Sequence, residues 1–69
     1  MKNTIYQIYA KDTENSRYRN ITPVITNGIH GTENPHKAER WANVACKWYA
    51  KVKVIVTDPN GVKNEIIYK

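Results

Sequence analysis

Hydrophobic and polar residues alternate along the last part of the chain, KVKVIVTDPNGVKNEIIYK. The alternation is interrupted only at Asp58-Pro59-Asn60-Gly61, as expected for two strands joined by a tight turn. Pro59 supplies the fixed φ of the second position of a type I turn, and Gly61 supplies the left-handed residue that follows. The pattern therefore predicts a β-hairpin with a three-residue loop.

The turn also fixes which side chains share a face of the hairpin. The core face is predicted to place Val56, Val54 and Val52 opposite Asn64, Ile66 and Tyr68. The other face is predicted to be basic, with two isoleucines at its centre. On it, Lys51, Lys53, Ile55 and Thr57 lie opposite Lys69, Ile67, Glu65 and Lys63.

The preceding segment, NPHKAERWANVACKWYA, has helical spacing. Asn34 suits the N-cap and Pro35 the first helical position, so we expect a helix over residues 35–50. Its apolar stripe consists of Ala38, Trp41, Ala42, Ala45, Trp48 and Tyr49. The opposite side is expected to be solvated and carries Lys37, Arg40, Asn43 and Lys47. Both tryptophans are predicted to pack in the core, and a binding anchor is the alternative role for them.

The first third of the chain predicts two strands, NTIYQIYAK and RYRNITPVIT. The second strand is expected to be short or to lie at an edge, because Pro23 has no N–H to donate. The order strand, strand, helix, strand, strand predicts an α+β fold (β-β-α-β-β), a single domain over residues 1–69. An antiparallel four-stranded sheet would carry one helix on one face. The face direction of the first strand stays open at this stage.

Composition restricts the class of partner. The 69 residues include 11 Lys and Arg and 6 Asp and Glu, a net charge of +5, which favours acidic partners. The single cysteine, Cys46, cannot form an internal disulfide. The chain has no apolar run long enough for a signal peptide or a membrane span, so we expect a cytoplasmic location and no membrane partner.

No arrangement of residues predicts catalysis. Cys46 lies near the apolar stripe, where a cysteine is typically a small packed hydrophobe. His30, His36 and Cys46 lack the close paired spacing of a zinc site. No acid–base pair and no phosphate-binding glycine motif stands out. We therefore expect a protein that is not an enzyme, uses no cofactor and works by binding.

The sheet face opposite the helix is the candidate binding face. Isoleucines ringed by lysines suit a partner with an apolar centre and an acidic rim. The predicted partner-binding residues are Tyr9, Lys11, Lys51, Lys53, Ile55, Lys63, Ile67 and Lys69.

Two alternatives stay open. A nucleic acid, DNA or RNA, would be bound by cations that neutralise phosphates and by an aromatic ring that stacks on bases. The residues for that function are Arg17, Tyr18, Arg19, Lys51 and Lys53. A homodimer joined through the open sheet face or an edge strand is the third interpretation.

The layout resembles a known group of proteins. A short, lysine-rich chain that opens MKNTIYQIYAK, with one helix HKAERWANVACKWYA leading into the hairpin VKVIVTDPNGVKNEIIYK, is similar to small early proteins of bacteriophages. These include some anti-CRISPR proteins built as a sheet with one helix. The resemblance implies an inhibitor that occludes a surface of a bacterial host or defence protein complex, in the cytoplasm of a bacterial host cell. It is a resemblance of layout, so no functional residue is carried over from it.

Overall fold

The computed structural model describes residues 3–69. Within that range, its elements are β1 (Ile5–Lys11), β2 (Arg19–Asn20), α1 (Thr22–Ile25), α2 (Pro35–Ala45), β3 (Lys51–Thr57) and β4 (Lys63–Ile67). The strands form one antiparallel sheet in the order β2-β1-β3-β4. Helix α2 packs on one face of the sheet, against β1 and β3. The predicted α+β fold, an antiparallel four-stranded sheet with one main helix on one face, is confirmed.

The β3–β4 hairpin has the predicted turn and register. Gly61 has a φ of +88°, and its N–H donates to the Asp58 carbonyl oxygen at 2.9 Å. Asp58 Oδ1 accepts from the N–H of Asn60 and of Val62, which fixes the loop from inside. The ladder pairs Lys53 with Ile67, Val54 with Ile66, Ile55 with Glu65, Val56 with Asn64 and Thr57 with Lys63.

The core lies between α2 and the two central strands. Ile8 and Ala10 of β1 are fully buried, so the even-numbered residues of β1 face the helix. This settles the face direction that the sequence left open, and it puts Tyr9 and Lys11 on the opposite face. The other core residues are Ile21, Ala38, Ala42, Ala45, Val52 and Val54. Three alanines on the helix allow a close approach to the sheet but make the core narrow.

The helix is shorter than predicted, and one tryptophan is not in the core. Asn34 caps α2 as expected, since its side chain accepts from the N–H of His36 and Lys37. The helix ends at Ala45, however, and residues 46–48 form a turn. Trp41 packs against the core, whereas Trp48 is 76% exposed. The prediction for Trp48 was wrong because the turn takes it out of helical phase with Trp41.

The second strand is short and lies at an edge of the sheet, as predicted, and it is followed by a helical turn. Only Arg19 and Asn20 pair with β1, at its edge, and residues 22–25 are helical. Pro23 fits this first turn, where an N–H has no helical partner. The Asn20 side chain accepts from the Thr22 N–H at 3.0 Å, which favours the turn over a continued strand.

Candidate binding surfaces

The sheet face opposite α2, here called the open face, brings together most of the predicted partner-binding residues. One row across the three longer strands holds Tyr9, Lys53 and Ile67. Lys11 and Lys51 pair at one end of the face, and Lys63 lies at the other end, opposite Thr57. The alternation of the strands is sufficient to explain this grouping.

Part of the open face is covered by the chain itself. The Tyr18 ring lies 4.1 Å from Lys53 Nζ and 5.0 Å from Lys11 Nζ, measured to the ring centroid. These are cation–π distances. Ile55 is only 9% exposed, while Ile67 is 64% exposed. Of the two central isoleucines, Ile67 alone is widely accessible to a partner.

Ion pairs reduce the positive charge that the open face presents. Lys53 Nζ lies 2.5 Å from a Glu65 carboxylate oxygen, and Lys51 Nζ lies 3.4 Å from Glu14. Such surface pairs contribute little to stability, at most about 1 kcal/mol each. They nevertheless place an acid beside each of these lysines. Lys63 has no ion pair within residues 3–69.

The residues nominated for nucleic-acid binding are largely engaged inside the molecule. Tyr18 lies against two lysines, and Arg19 forms an ion pair with Asp12 at 3.3 Å. Lys51 and Lys53 have the acidic neighbours just described. Arg17 is exposed and has no ion pair among the described residues. The structure therefore does not gather these residues into one free basic surface.

Lys69 lies at the end of the helix rather than in the strand register. The backbone N–H groups of Tyr68 and Lys69 both donate to the Val52 carbonyl, so the regular ladder ends after Ile67. Lys69 Nζ then donates to the carbonyl oxygens of Cys46 (2.8 Å) and Tyr49 (3.2 Å). A cation at this position satisfies carbonyls left free at the helix end and complements the helix dipole.

A second exposed surface, which we call the helix-end patch, consists of Arg40, Val44, Lys47 and Trp48. Arg40, Val44 and Lys47 line one groove on the outer side of α2, together with His36, Glu39 and Asn43. Trp48 follows Lys47 directly, in the turn that ends the helix. Val44 is 40% exposed, so the groove combines an apolar side chain with two cations and one acid, Glu39. Neither cation of the patch forms an ion pair within residues 3–69.

Sequence patterning did not find the helix-end patch. Its cations were expected to be a solvated face, and Trp48 was expected in the core. The segment CKWYA after Ala45 contains no glycine or proline that would indicate a helix end. The end is instead fixed by distant contacts, the Lys69 amine and the bond from the Ala50 N–H to the Lys11 carbonyl at 3.1 Å.

Comparisons of the chain with protein-family models, with curated proteins and with solved structures find no match. Among the residues that the structure describes, no helix is long and apolar enough to cross a membrane.

Proposed function

We propose that this protein is a non-enzymatic binding protein that attaches to an acidic surface of a partner protein and blocks that surface. The observation that carries the proposal is the 76% exposure of Trp48, which directly follows Lys47, one of two cations in a groove of α2 that form no ion pair within residues 3–69. The resemblance to small bacteriophage proteins suggests the class of target, a bacterial host or defence protein complex.

Exposure of Trp48 forgoes hydrophobic stabilisation that the side chain would contribute if its role were to pack in the core. A tryptophan side chain buries about 150–250 Å² when it packs, and hydrophobic burial contributes about 25 cal/mol for each Å². Trp48 gives up most of that contribution in the free protein. Tryptophan and arginine are the residues most enriched at the energetic centres of protein interfaces. Trp48 and Arg40 provide both types in one patch.

The surroundings of Trp48 favour a protein partner over a nucleic acid. Val44 offers an aliphatic contact that a protein pocket can use but that a phosphate backbone or a base edge uses poorly. Trp48 is a single exposed ring, whereas single-stranded nucleic acids are typically bound by several stacking rings. Arg40 and Lys47 then suit the acidic rim of a protein pocket and accelerate association with it.

The open face is a second contact area in this proposal. Ile67 and Lys63 are its most accessible apolar and cationic side chains, and Lys63 has no ion pair within residues 3–69. We therefore expect charge reversal at Lys63 to affect binding more than charge reversal at Lys53, which already has Glu65 beside it.

The test is capture of a partner from a bacterial lysate with tagged protein, carried out with and without nuclease. We expect one stoichiometric protein complex that survives nuclease and is lost with Trp48→Ala and with the double variant Arg40→Glu/Lys47→Glu. Val24→Ser is the matched control, because Val24 is an apolar residue that is 71% exposed and lies outside both surfaces. Val24→Ser should retain the partner.

Three results would contradict the proposal. Recovery of nucleic acid alone, lost on nuclease treatment, would assign the basic residues to phosphate binding. Equal retention by the Trp48→Ala variant and the wild type would remove the helix-end patch from the interface. Loss of the partner with Val24→Ser as well would show that the losses are not specific to the helix-end patch.

A further inference from the structure

The two outer edges of the sheet differ in how many of their backbone N–H and C=O groups are hydrogen-bonded. Along β1, the outward backbone groups of Tyr6 exchange two hydrogen bonds with Thr32, at 2.7 and 2.9 Å. The Ile8 N–H donates to Thr22 Oγ1 at 2.8 Å, and the Ile8 carbonyl accepts from the Ile21 N–H at 2.9 Å. Ala10 pairs with β2. At the other edge, β4 is the outermost strand, with no strand beyond it among the described residues.

The hydrogen-bond pattern identifies which groups of β4 are free. Asp58 and Val62 form a hydrogen-bonded pair, and the Tyr68 N–H donates to the Val52 carbonyl. Hydrogen-bonded and non-hydrogen-bonded pairs alternate in an antiparallel ladder. Even-numbered residues of β4 therefore bond to β3, and odd-numbered residues point their N–H and C=O groups outward. The outward residues are Lys63, Glu65 and Ile67.

The side chains of this edge are apolar on both faces. Ile66 belongs to the core face by register, yet it is 47% exposed, because α2 packs on β1 and β3 and does not extend over β4. Val62, two residues beyond Asn64 on the same face, is 54% exposed. An edge with free backbone groups and exposed apolar side chains on both faces is suited to pairing with another strand.

We propose that β4 pairs with β4 of a second copy of this chain, antiparallel, with Asn64 on the two-fold axis. In this register, Lys63 lies opposite Glu65 of the second copy, twice by symmetry. On the helix-side face, the exposed Val62 lies opposite Ile66 of the second copy, also twice. Asn64 faces its own symmetry mate. The result is a continuous eight-stranded sheet with both α2 helices on the same side.

The charges of the side chains, and the face of the sheet on which each side chain lies, favour this register over the adjacent ones. A shift by one residue between the strands would bring the core face of one copy to the open face of the other. Centring the axis on Glu65 would put two carboxylates opposite each other, which is destabilising. Centring it on Ile66 would oppose Lys63 to Lys69. The Asn64 register pairs Lys63 with Glu65 and the exposed Val62 with Ile66, while Ile67 lies opposite Gly61 of the second copy.

Cysteine cross-linking tests the register directly. In a Cys46→Ala background, Asn64→Cys should form an intermolecular disulfide under mild oxidation. The two Asn64 residues form a non-hydrogen-bonded pair, whose Cα atoms are about 4.5 Å apart, within the range that a disulfide spans. Ile66→Cys is the matched control, because its two copies would be offset by about 13 Å along the strands. Preferential cross-linking at residue 66 would overturn the proposed register.

A charge-swap series tests the pairing without cysteine, by sedimentation at micromolar to millimolar concentration. Lys63→Glu should weaken the dimer about tenfold, because it opposes two carboxylates twice. The double variant Lys63→Glu/Glu65→Lys should recover association, since it exchanges the partners of each pair. Circular dichroism would confirm that each variant is folded. A wild-type chain that stays monomeric throughout would overturn the proposal and leave the β4 edge to a strand of another protein.

The proposal concerns a different surface from the helix-end patch. Failure of self-association leaves partner capture through Trp48 unaffected, and loss of capture with Trp48→Ala leaves the dimer unaffected. The two tests can therefore fail separately.

Discussion

The molecule divides into a packed block and an exposed rim. The block comprises β1, β3 and α2, and it contains nearly all the fully buried side chains. The rim comprises β4 and the turn at residues 46–48. In β4 every residue is exposed, and the turn carries Trp48. Both regions are rich in large apolar residues, so hydrophobicity alone does not decide which residues are buried.

The difference between block and rim arises from the width of the core. Ala38, Ala42 and Ala45 bring α2 close to the sheet, and a helix in close contact covers two strands rather than three. A chain of this length has little surface to bury in any case, about 60% of what its unfolded form exposes. Apolar residues beyond that limit are left on the surface, where they are available to partners.

The two tryptophans provide the largest contrast. We expect Trp41→Ala to lower the free energy of unfolding by about 2–4 kcal/mol, somewhat less than for a fully buried tryptophan. We expect Trp48→Ala to change it by less than about 0.5 kcal/mol. Urea unfolding followed by circular dichroism measures both. If Trp41→Ala does not fold, fluorescence of Trp41→Phe and Trp48→Phe gives the same comparison.

In that comparison, the protein that retains only Trp48 should emit at longer wavelength and be quenched more readily by acrylamide. Equal quenching of the two variants would contradict the division between block and rim at this helix.

The edge of the block depends on one buried hydroxyl. Thr22 is fully buried, and its Oγ1 accepts from the Ile8 N–H and donates to Asn20 Oδ1 at 2.7 Å. Thr22→Val keeps the shape but leaves a buried N–H without an acceptor, which costs about 1–3 kcal/mol. Thr22→Ser is the matched control, since it keeps the hydroxyl. Thermal unfolding should rank wild type, Thr22→Ser and Thr22→Val in falling order, and a Thr22→Val variant as stable as Thr22→Ser would exclude the hydrogen bond as the cause.

Local chemistry explains why the hairpin and the start of α2 were predictable. The residues of the Asp58–Gly61 turn determine its conformation by themselves, because proline fixes one φ angle and glycine allows the positive φ that follows. Asn34 and Pro35 likewise start α2 through contacts with residues of its first turn. In both places the interacting groups are neighbours in the sequence, so the register and the helix start follow from a short window.

The remaining features depend on residues distant in the sequence. The end of α2 involves the Lys69 amine, and α1 is held by the contact of Thr22 with Ile8. The cover over the open face comes from Tyr18, in a loop whose path no short pattern specifies. The residues of the basic face of the hairpin were thus predicted correctly except for Lys69, which lies at the end of α2. The accessibility of this face, and the presence of the helix-end patch, could not be inferred from the same pattern.

The smallest expected effect concerns Tyr68, where rim and block meet. Burial against the core raises the pKa of the Tyr68 phenol, and the nearby Glu39 carboxylate and Cys46 thiol add to the rise. The unfolded chain loses this proton at about pH 10. A raised pKa in the folded state means that folding favours the neutral phenol. Its contribution is therefore complete below about pH 10 and is lost as the pH rises through the folded pKa.

We therefore expect the free energy of unfolding to fall more steeply above pH 10 for the wild type than for Tyr68→Phe. Lysine deprotonation acts on both proteins and cancels in the difference. Denaturant titrations at pH 8 and at several values above pH 10 measure it. If the free energy of unfolding of the two proteins fell in parallel with pH, Tyr68 would be as accessible as the residues of β4. Tyr68 would then belong to the rim, and the block would begin at its neighbour Val52.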